Sequence, residues 1–537
     1  MNKQIPAANT ASKNNIRRRP DAVFCISLLL ILLHCIYIYL TFLRVPLNSD
    51  HANQVLQAAD ILSGNILLKG WNLTGVSFYL SELPFYVLGT AFAGIDTYAY
   101  LIAAAAMVIC LSVLSYQLAF KNHLADPLPK ALLYLTLTGF PTLTWLGYLR
   151  GHCAIFIYFC LLLIILDRIF TEGQVPAFLW VLFGLLTACG CMSDMQLLII
   201  AVVPVLLFCG INLLRNEPKF DTKHSAWMAG ISVICTGLGM MMDALLMKLG
   251  GINKNSFLDT RKFVNMDALG EKILLLGEGI LNVFRADRPS GTWSFRGMIG
   301  ICIAAGIILI TLVCLFSVLQ RFLKKGEGDP VSLICALSIT VMFLICFFTD
   351  IYTAEDSARY ISWLPFAAAV LICRSLESKL SGFRFLPCVI SFLTAGFLFF
   401  MPPVFTRVET QQDRLAAFLR ENDLTNGYAD FWNASHTTVA ANDQVKVRAI
   451  RGQVPELGKP DHMEMQNWFC KTEWYQTSPH NFIVFDGRGY LHVSEDVVTT
   501  LLGEPEQILE TGEYRVYVYN RDLTKEIILP AHISKSQ

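Results

Sequence analysis

Charge is scarce in this sequence. Of its 537 residues only 16% are charged, against roughly a quarter in soluble domains, and the 42 basic and 42 acidic side chains cancel to zero. With 54% hydrophobic residues and a mean hydropathy of +0.50, an ordinary cytosolic enzyme is excluded, and without a basic excess nothing calls for a nucleic-acid partner. The chain also lacks any CxxC pair or His/Cys cluster at zinc spacing. All but one of its cysteines lie in or beside apolar segments. Cys470, alone in the polar C-terminal part, has no local partner, so a disulfide scaffold is excluded too. Beyond the polar N-terminal tail there is no low-complexity tract, and no short repeat appears.

What the chain has in abundance is long apolar runs, many near the ~20 residues that cross a bilayer as a helix. Spans are expected near 22–43, 98–120, 131–148, 153–170, 175–191, 195–214, 225–247, 297–320, 331–348, 360–373 and 385–402, eleven in all. The first follows Arg17, Arg18 and Arg19, is too long for a signal-peptide core and shows no evident cleavage site, so it reads as a retained anchor. The stretch 78–95 contains Glu82 and Pro84 and is barely long enough to cross.

Loop charge decides its placement. If 78–95 stays on one side, the loops 121–130, 168–174, 215–224, 321–330 and 374–384 share a face and carry Lys121, Lys130, Arg168, Arg215, Lys219, Lys223, Arg321, Lys324, Lys325, Arg374, Lys379 and Arg384. The short loops of the other face, near 149–152, 192–194 and 349–359, hold only Arg150 and Arg359. That asymmetry puts the first set in the cytoplasm, and 78–95 is then an interfacial or re-entrant helix on the outer face. Outside also lie 44–97, 248–296 and 404–537. The last alternates strand-like runs (YADFW, VKVRAI, NFIVFD, YRVYVYN) with helix-like ones and reads as a small α/β domain. The expected organisation is a cytoplasmic tail 1–21, a transmembrane domain 22–403 and an extracytoplasmic α/β domain 404–537.

This topology gathers the chemistry on the outer face. Asp50 sits just beyond the first span, before apolar positions Val55, Leu56, Ala59, Ile61 and Leu62 that fit an amphipathic helix closed by Gly64. A carboxylate there can serve as a general base at the interface, or simply cap the helix. Arg150, Gly151 and His152 share the face with Ser193, Asp194, Glu355, Asp356, Arg359 and Tyr360. Each has a plainer reading: a satisfied interface histidine, a turn aspartate, a solvated acidic pair. Arg359 opens an apolar helix, where a guanidinium suits a phosphate or carboxylate partner. The loop 248–296 holds Lys248, Lys254, Arg261, Lys262, Lys272, Arg285, Arg288 and Arg296, able to bind a lipid-linked phosphate or to neutralise headgroups.

These features together resemble the GT-C superfamily of polytopic glycosyltransferases, which includes protein O-mannosyltransferases and lipid A aminoarabinose transferases. The resemblance rests on Asp50 followed by HANQVLQAADILSGN and SFYLSELPFYVLG, on GYLRGHCAIFIYF, and on the Arg359-Tyr360 pair in SARYISWLPF. It implies transfer of a sugar from a polyprenyl-phosphate donor to a lipid, glycan or protein acceptor on the outer side of a bacterial plasma membrane. Asp50 would be the base, and Arg359, with Arg261, Lys262 or Arg285, would hold the leaving phosphate. His51, Arg150, His152, Glu355, Asp356 and Tyr360 would line the substrate site. Where many members have a second acidic residue, Arg150-Gly151-His152 stands instead, and the first-loop acidic pair is reduced to Asp50-His51, so no metal cofactor is assigned. A flippase of a lipid-linked intermediate would need ionisable groups near the midplane. The nearest, Asp243, falls towards the outer end of its span. A non-catalytic envelope assembly protein is the third class. The sequons at Asn72 and Asn433 would matter only in a glycosylating lumen.

Overall fold

A computed structural model of the chain describes residues 22–121, 127–138, 142–171, 175–250, 253–254, 262–284, 286, 295–377, 405–453, 462–476, 478–486 and 495–528. The expected span 385–402 and the tail 1–21 lie outside them. The helices are α1 (Ala22–Phe42), α2 (Ser49–Leu62), α3 (Leu83–Ala93), α4 (Thr97–Ala119), α5 (Pro127–Thr138), α6 (Leu143–Leu149), α7 (Cys153–Thr171), α8 (Ala177–Ser193), α9 (Val203–Leu213), α10 (Thr222–Gly250), α11 (Leu269–Val283), α12 (Phe295–Lys325), α13 (Pro330–Phe348) and α14 (Leu364–Leu376). By length and composition, five of the described helices can cross a bilayer: α4, α7, α10, α13 and the Gly300–Lys325 part of α12. The outward faces of two of them are apolar, with Ile234 63% and Met241 59% exposed on α10, and Val313 60% and Phe316 66% on α12. Water would not tolerate so much continuous apolar surface on a soluble monomer.

Local chemistry sets the helix ends. The Asp96 carboxylate accepts from Tyr98 N–H at 2.7 Å to start α4, and Asp329 accepts from Ser332 N–H at 2.9 Å ahead of Pro330 on α13. The expected single span 131–148 is instead two helices, α5 and α6, of 12 and 7 residues. Between them the sequence reads Gly139-Phe140-Pro141, which disfavours a continuous helix. Span 195–214 contains a π-helical turn, Leu198–Val202, that leads into α9 just ahead of Pro204. Span 360–373 also differs. A 3₁₀ segment, Glu355–Ile361, precedes α14, whose 13 residues reach about 20 Å, short of a ~30 Å hydrocarbon core. The same arithmetic gives α3, with 11 residues, only about 16 Å.

The loops grouped by their basic residues do share one end of the bundle. Arg374 donates to Asp167 at 2.7 Å and Asp329 at 2.9 Å, Lys121 pairs with Asp329 at 2.9 Å, and Lys130 with Glu377 at 2.8 Å. Arg215 donates to the carbonyl of Leu323 at 2.8 Å. One carboxylate alone would neutralise the buried Arg374; the second, Asp329, is balanced by Lys121, so the network closes at two cations against two carboxylates.

The C-terminal part contains α15 (Gln411–Glu421), α16 (Phe431–Ala440) and α17 (Glu495–Leu502). Its seven-stranded sheet has the order β10-β5-β4-β3-β7-β9-β8. The strands are β3 (Asn426–Ala429), β4 (Lys446–Gln453), β5 (His462–Met465), β7 (Phe482–Phe485), β8 (Gln507–Thr511), β9 (Tyr514–Val518) and β10 (Ile527–Ile528). The centre is parallel (β4-β3-β7) and flanked by antiparallel pairs. A separate three-stranded sheet stitches distant loops together. β1 (Trp71–Leu73) lies between β2 (Asn253–Lys254) and β6 (Cys470–Lys471).

Helix α2 departs from the amphipathic expectation. Its apolar stripe exists, and Gly64 closes it at φ 108, but Asn53, Gln54 and Gln57 are buried as well. The reason is α16, which covers the polar face, with Ser435 Oγ donating to Asn53 Oδ1 at 2.9 Å. Both sequon asparagines, Asn72 and Asn433, are fully buried, so neither presents its amide in the folded chain.

Candidate functional site

Asp50 is not the cap of α2. Asn48 is, its side chain accepting from His51 N–H at 3.1 Å, so the Asp50 carboxylate is free to face a cavity of about 460 Å³. That volume falls within the ~300–1,000 Å³ of small-molecule sites. The first loop contributes Asn48, Asp50, His51 and Phe78; the α6–α7 segment contributes Tyr148, Arg150 and His152; the 3₁₀ segment contributes Asp356, Arg359 and Tyr360; and Trp432, Trp468 and Phe469 come from the C-terminal part.

Most sequence-derived candidates therefore converge: Asp50, His51, Arg150, His152, Asp356, Arg359 and Tyr360 all line this cavity. Glu355 does not. It is exposed and accepts from Tyr148 Oη at 2.9 Å, which ties the 3₁₀ segment to α6. Lys262 is also exposed, off the cavity wall, and contributes only its carbonyl, which accepts from Asp350 N–H at 3.1 Å. Arg261 and Arg285 lie outside the described residues. Lys272 is turned inward, donating to the carbonyls of Thr349 at 2.8 Å and of Tyr352, so it braces the loop and is not presented to a ligand.

The electrostatics are unusual at Asp50. Among the described residues its carboxylate makes no hydrogen bond or ion pair. Burial raises its pKa above the ordinary carboxylate value, and the Arg359 and Arg150 guanidiniums oppose that rise while Asp356 adds to it. Arg150 is held in place by neutral acceptors, the carbonyls of Pro46 at 2.5 Å and Gly147 at 3.1 Å and the hydroxyl of Tyr100 at 2.7 Å. Among the described residues Arg359 has only the neighbouring Tyr360 hydroxyl, at 3.5 Å. Two guanidiniums without carboxylate ion pairs thus border one unpaired carboxylate. His51 is stacked between Tyr86 and Tyr100 and bonded through Nδ1 to Tyr86 Oη at 2.9 Å; burial, then Arg150, keeps it neutral.

The sequence did not pair His152 with Asp194. Its Nδ1 lies 2.6 Å from Asp194 Oδ2, and Asp194 is fixed in turn by Gln196 N–H at 2.8 Å. The ring packs between Phe78 at 5.5 Å and Tyr360 at 5.3 Å. The two residues sit 42 positions apart on different helix ends, and no local pattern links them. Glu82 was seen only as an obstacle to a span. It is fully buried, accepts from Ala154 N–H at 3.1 Å, and its carboxyl is pushed up to about 8 by burial and then by Asp194. Phe78 and Phe469, both on the cavity wall, have left-handed backbones, φ 54 and φ 48. Such residues cost ~1–3 kcal/mol each and cluster at functional sites.

No family model matches the chain, and no curated protein matches it. Among solved structures, an Archaeoglobus fulgidus oligosaccharyltransferase, tethered to an acceptor peptide with the NVT sequon, aligns with a TM-score of 0.40 and 11% identity, over 86% of this chain and 69% of that one.

Proposed function

We propose that the chain is an integral-membrane glycosyltransferase of GT-C type, moving a sugar from a polyprenyl-phosphate donor to a lipid, glycan or protein acceptor of the cell envelope. The observation that supports it is the Asp50 carboxylate sharing one cavity with the guanidiniums of Arg150 and Arg359, with no ion pair to any of the three among the described residues. In this reading an acceptor hydroxyl attacks the anomeric carbon and its proton passes to Asp50. The bond from that carbon to the phosphate oxygen breaks, and the phosphate leaves with the electron pair. Arg359 and Arg150 stabilise the charge that develops on it, the kind of preorganised stabilisation that dominates many active sites. A carboxylate with a raised pKa is the stronger base for the task. His152, oriented by Asp194, positions the acceptor beside Asp50.

Sidedness follows the loop-charge asymmetry: the end tied by Arg374 is cytoplasmic, and the cavity opens on the extracytoplasmic face of a bacterial plasma membrane. The test is transfer of radiolabelled sugar from polyprenyl-phosphate donors by membranes carrying the chain. The isosteric Asp50→Asn protein should lose at least ~10²-fold in rate while inserting normally; full transfer by that variant would refute the assignment.

A further inference from the structure

A second cavity, of about 350 Å³, lies on the other half of α2, between Asp60 and the start of the central strands β3 and β4 of the C-terminal sheet. Asp50 and Asp60 are ten residues apart on one helix, so the two cavities sit about 15 Å from each other along it. The second is lined by Asp60, Trp71, Asn426, Lys446, Arg448 and Trp474, among others.

Three acidic side chains (Asp60, Asp443, Glu473) face three basic ones (Lys446, Arg448, Lys471), so the charges balance in number but not in pairing. Lys471 serves both Asp60, at 3.2 Å, and Glu473, at 3.0 Å. Lys446 serves Asp443 at 3.6 Å. Arg448 is left over. Only 6% exposed, it makes no hydrogen bond or ion pair among the described residues, and its Nη1 is buried without an acceptor. The guanidinium lies over the Trp474 ring at 4.0 Å. That contact covers one face of the cation but offers nothing to the N–H donors at its edge. Burial lowers the Arg448 pKa to about 10, still charged at neutral pH. Asp443 eases the charge from a distance, but buried guanidinium donors without an acceptor are costly, and an oxyanion that can take two of the hydrogen bonds relieves that cost best.

The surroundings narrow the ligand. Trp474, half-buried and braced edge-to-face by the buried Trp71 at 5.0 Å, gives the cavity an apolar aromatic wall against which a sugar's C–H groups can lie, and Asp60, Glu473 and Asn426 offer acceptors and an amide to hydroxyl groups. We propose that this cavity binds an anionic saccharide, whose carboxylate or phosphate caps Arg448 while its hydroxyls meet the polar rim. The inference stands apart from the Asp50 chemistry and is read by binding alone.

The experiment is titration of the full-length protein in detergent micelles, followed by calorimetry and tryptophan fluorescence, with glucuronate, glucose 6-phosphate, glucose and inorganic phosphate. Saturable binding of glucuronate or glucose 6-phosphate, at least tenfold tighter than glucose, is expected, and the tighter of the two identifies the anion. R448Q should weaken it tenfold or more without lowering the unfolding temperature, and Asp50→Asn should leave it unchanged. Should R448Q fail to fold, Lys446→Ala, at the more exposed rim, and Trp474→Leu should each weaken binding at least threefold. Equal binding of glucose, no binding of either acid sugar, inorganic phosphate as tight as the phosphosugar, or variants that bind like the parent would overturn the proposal.

Discussion

His152 Nδ1 and Asp194 Oδ2 stand 2.6 Å apart, joining the start of α7 to the end of α8 at the wall of the Asp50 cavity. A carboxylate on one ring nitrogen fixes which nitrogen faces the cavity. The two residues then act as one unit, and their removal should not be additive. His152→Ala and Asp194→Ala should each slow sugar transfer by about tenfold or more, and the double variant should be no slower than the worse single. A double-mutant cycle on initial rates measures this; a coupling below the ~0.5 kcal/mol floor for interacting pairs would show that the pair has no joint role.

Arg359 bears on Asp50 in two ways. In the proposed reaction it holds the leaving phosphate, and of the groups that lower the Asp50 pKa it has the largest effect. Transfer requires ionised Asp50, so the rate should rise with pH through a midpoint above the ~3.9 of a free aspartate. Arg359→Gln removes the cation, so that midpoint should move to higher pH, and the plateau rate should drop by roughly 10²-fold. A pH–rate profile of both proteins reads the shift; a midpoint moving to lower pH would contradict the geometry.

Glu82 gives a stability signature independent of activity. Its pKa of about 8 in the folded chain exceeds the unfolded value of ~4.3, so folding favours the protonated form. The stabilising contribution is whole below the unfolded value and is lost as pH rises through the folded one. The parent should therefore unfold at lower temperature at pH 8.5 than at pH 5. Glu82→Gln keeps an acceptor for Ala154 N–H and cannot ionise, so its disadvantage at pH 5 should shrink or reverse at pH 8.5. Thermal unfolding in detergent at the two pH values decides.

Gly89 lets α3 lie against α4. A Cβ there would meet the Ala99 carbonyl oxygen at 2.3 Å, a backbone atom that a rotamer change cannot clear. Gly89→Ala should destabilise the chain by roughly 1–3 kcal/mol, visible as a lower unfolding temperature, and should loosen the α3 wall behind Tyr86 and His51.

Much of the site could be read from the sequence because loop charge carries topological information. Sorting basic residues by loop put Asp50, Arg150, His152 and Arg359 on one face, and they share a cavity. The method was blind where contact depends on packing between distant segments. His152 found Asp194 through the approach of two helix ends, and Arg448, on β4, is seated over Trp474 of the 3₁₀ turn that follows β6. Hydrophobic runs gave the helices well where they were unbroken, as in α4, α7, α10, α12 and α13. They failed at 131–148 and 360–373, where the apolar run is continuous but the backbone changes conformation. Periodicity also misjudged α2, because it cannot see α16 arriving from nearly four hundred residues downstream to cover the polar face.

The position of β1 in the middle of its small sheet carries a consequence for biosynthesis. Chains emerge from the ribosome N-terminus first, yet β1 waits for β6 to occupy its second edge, and the cavity wall waits for Trp432, Trp468 and Phe469. A nascent chain can therefore insert most of its helices while Asp50 still faces an open, unroofed hollow. Completion of the cavity is deferred until almost the whole polypeptide has been made, so an interrupted chain in the membrane leaves it without that wall.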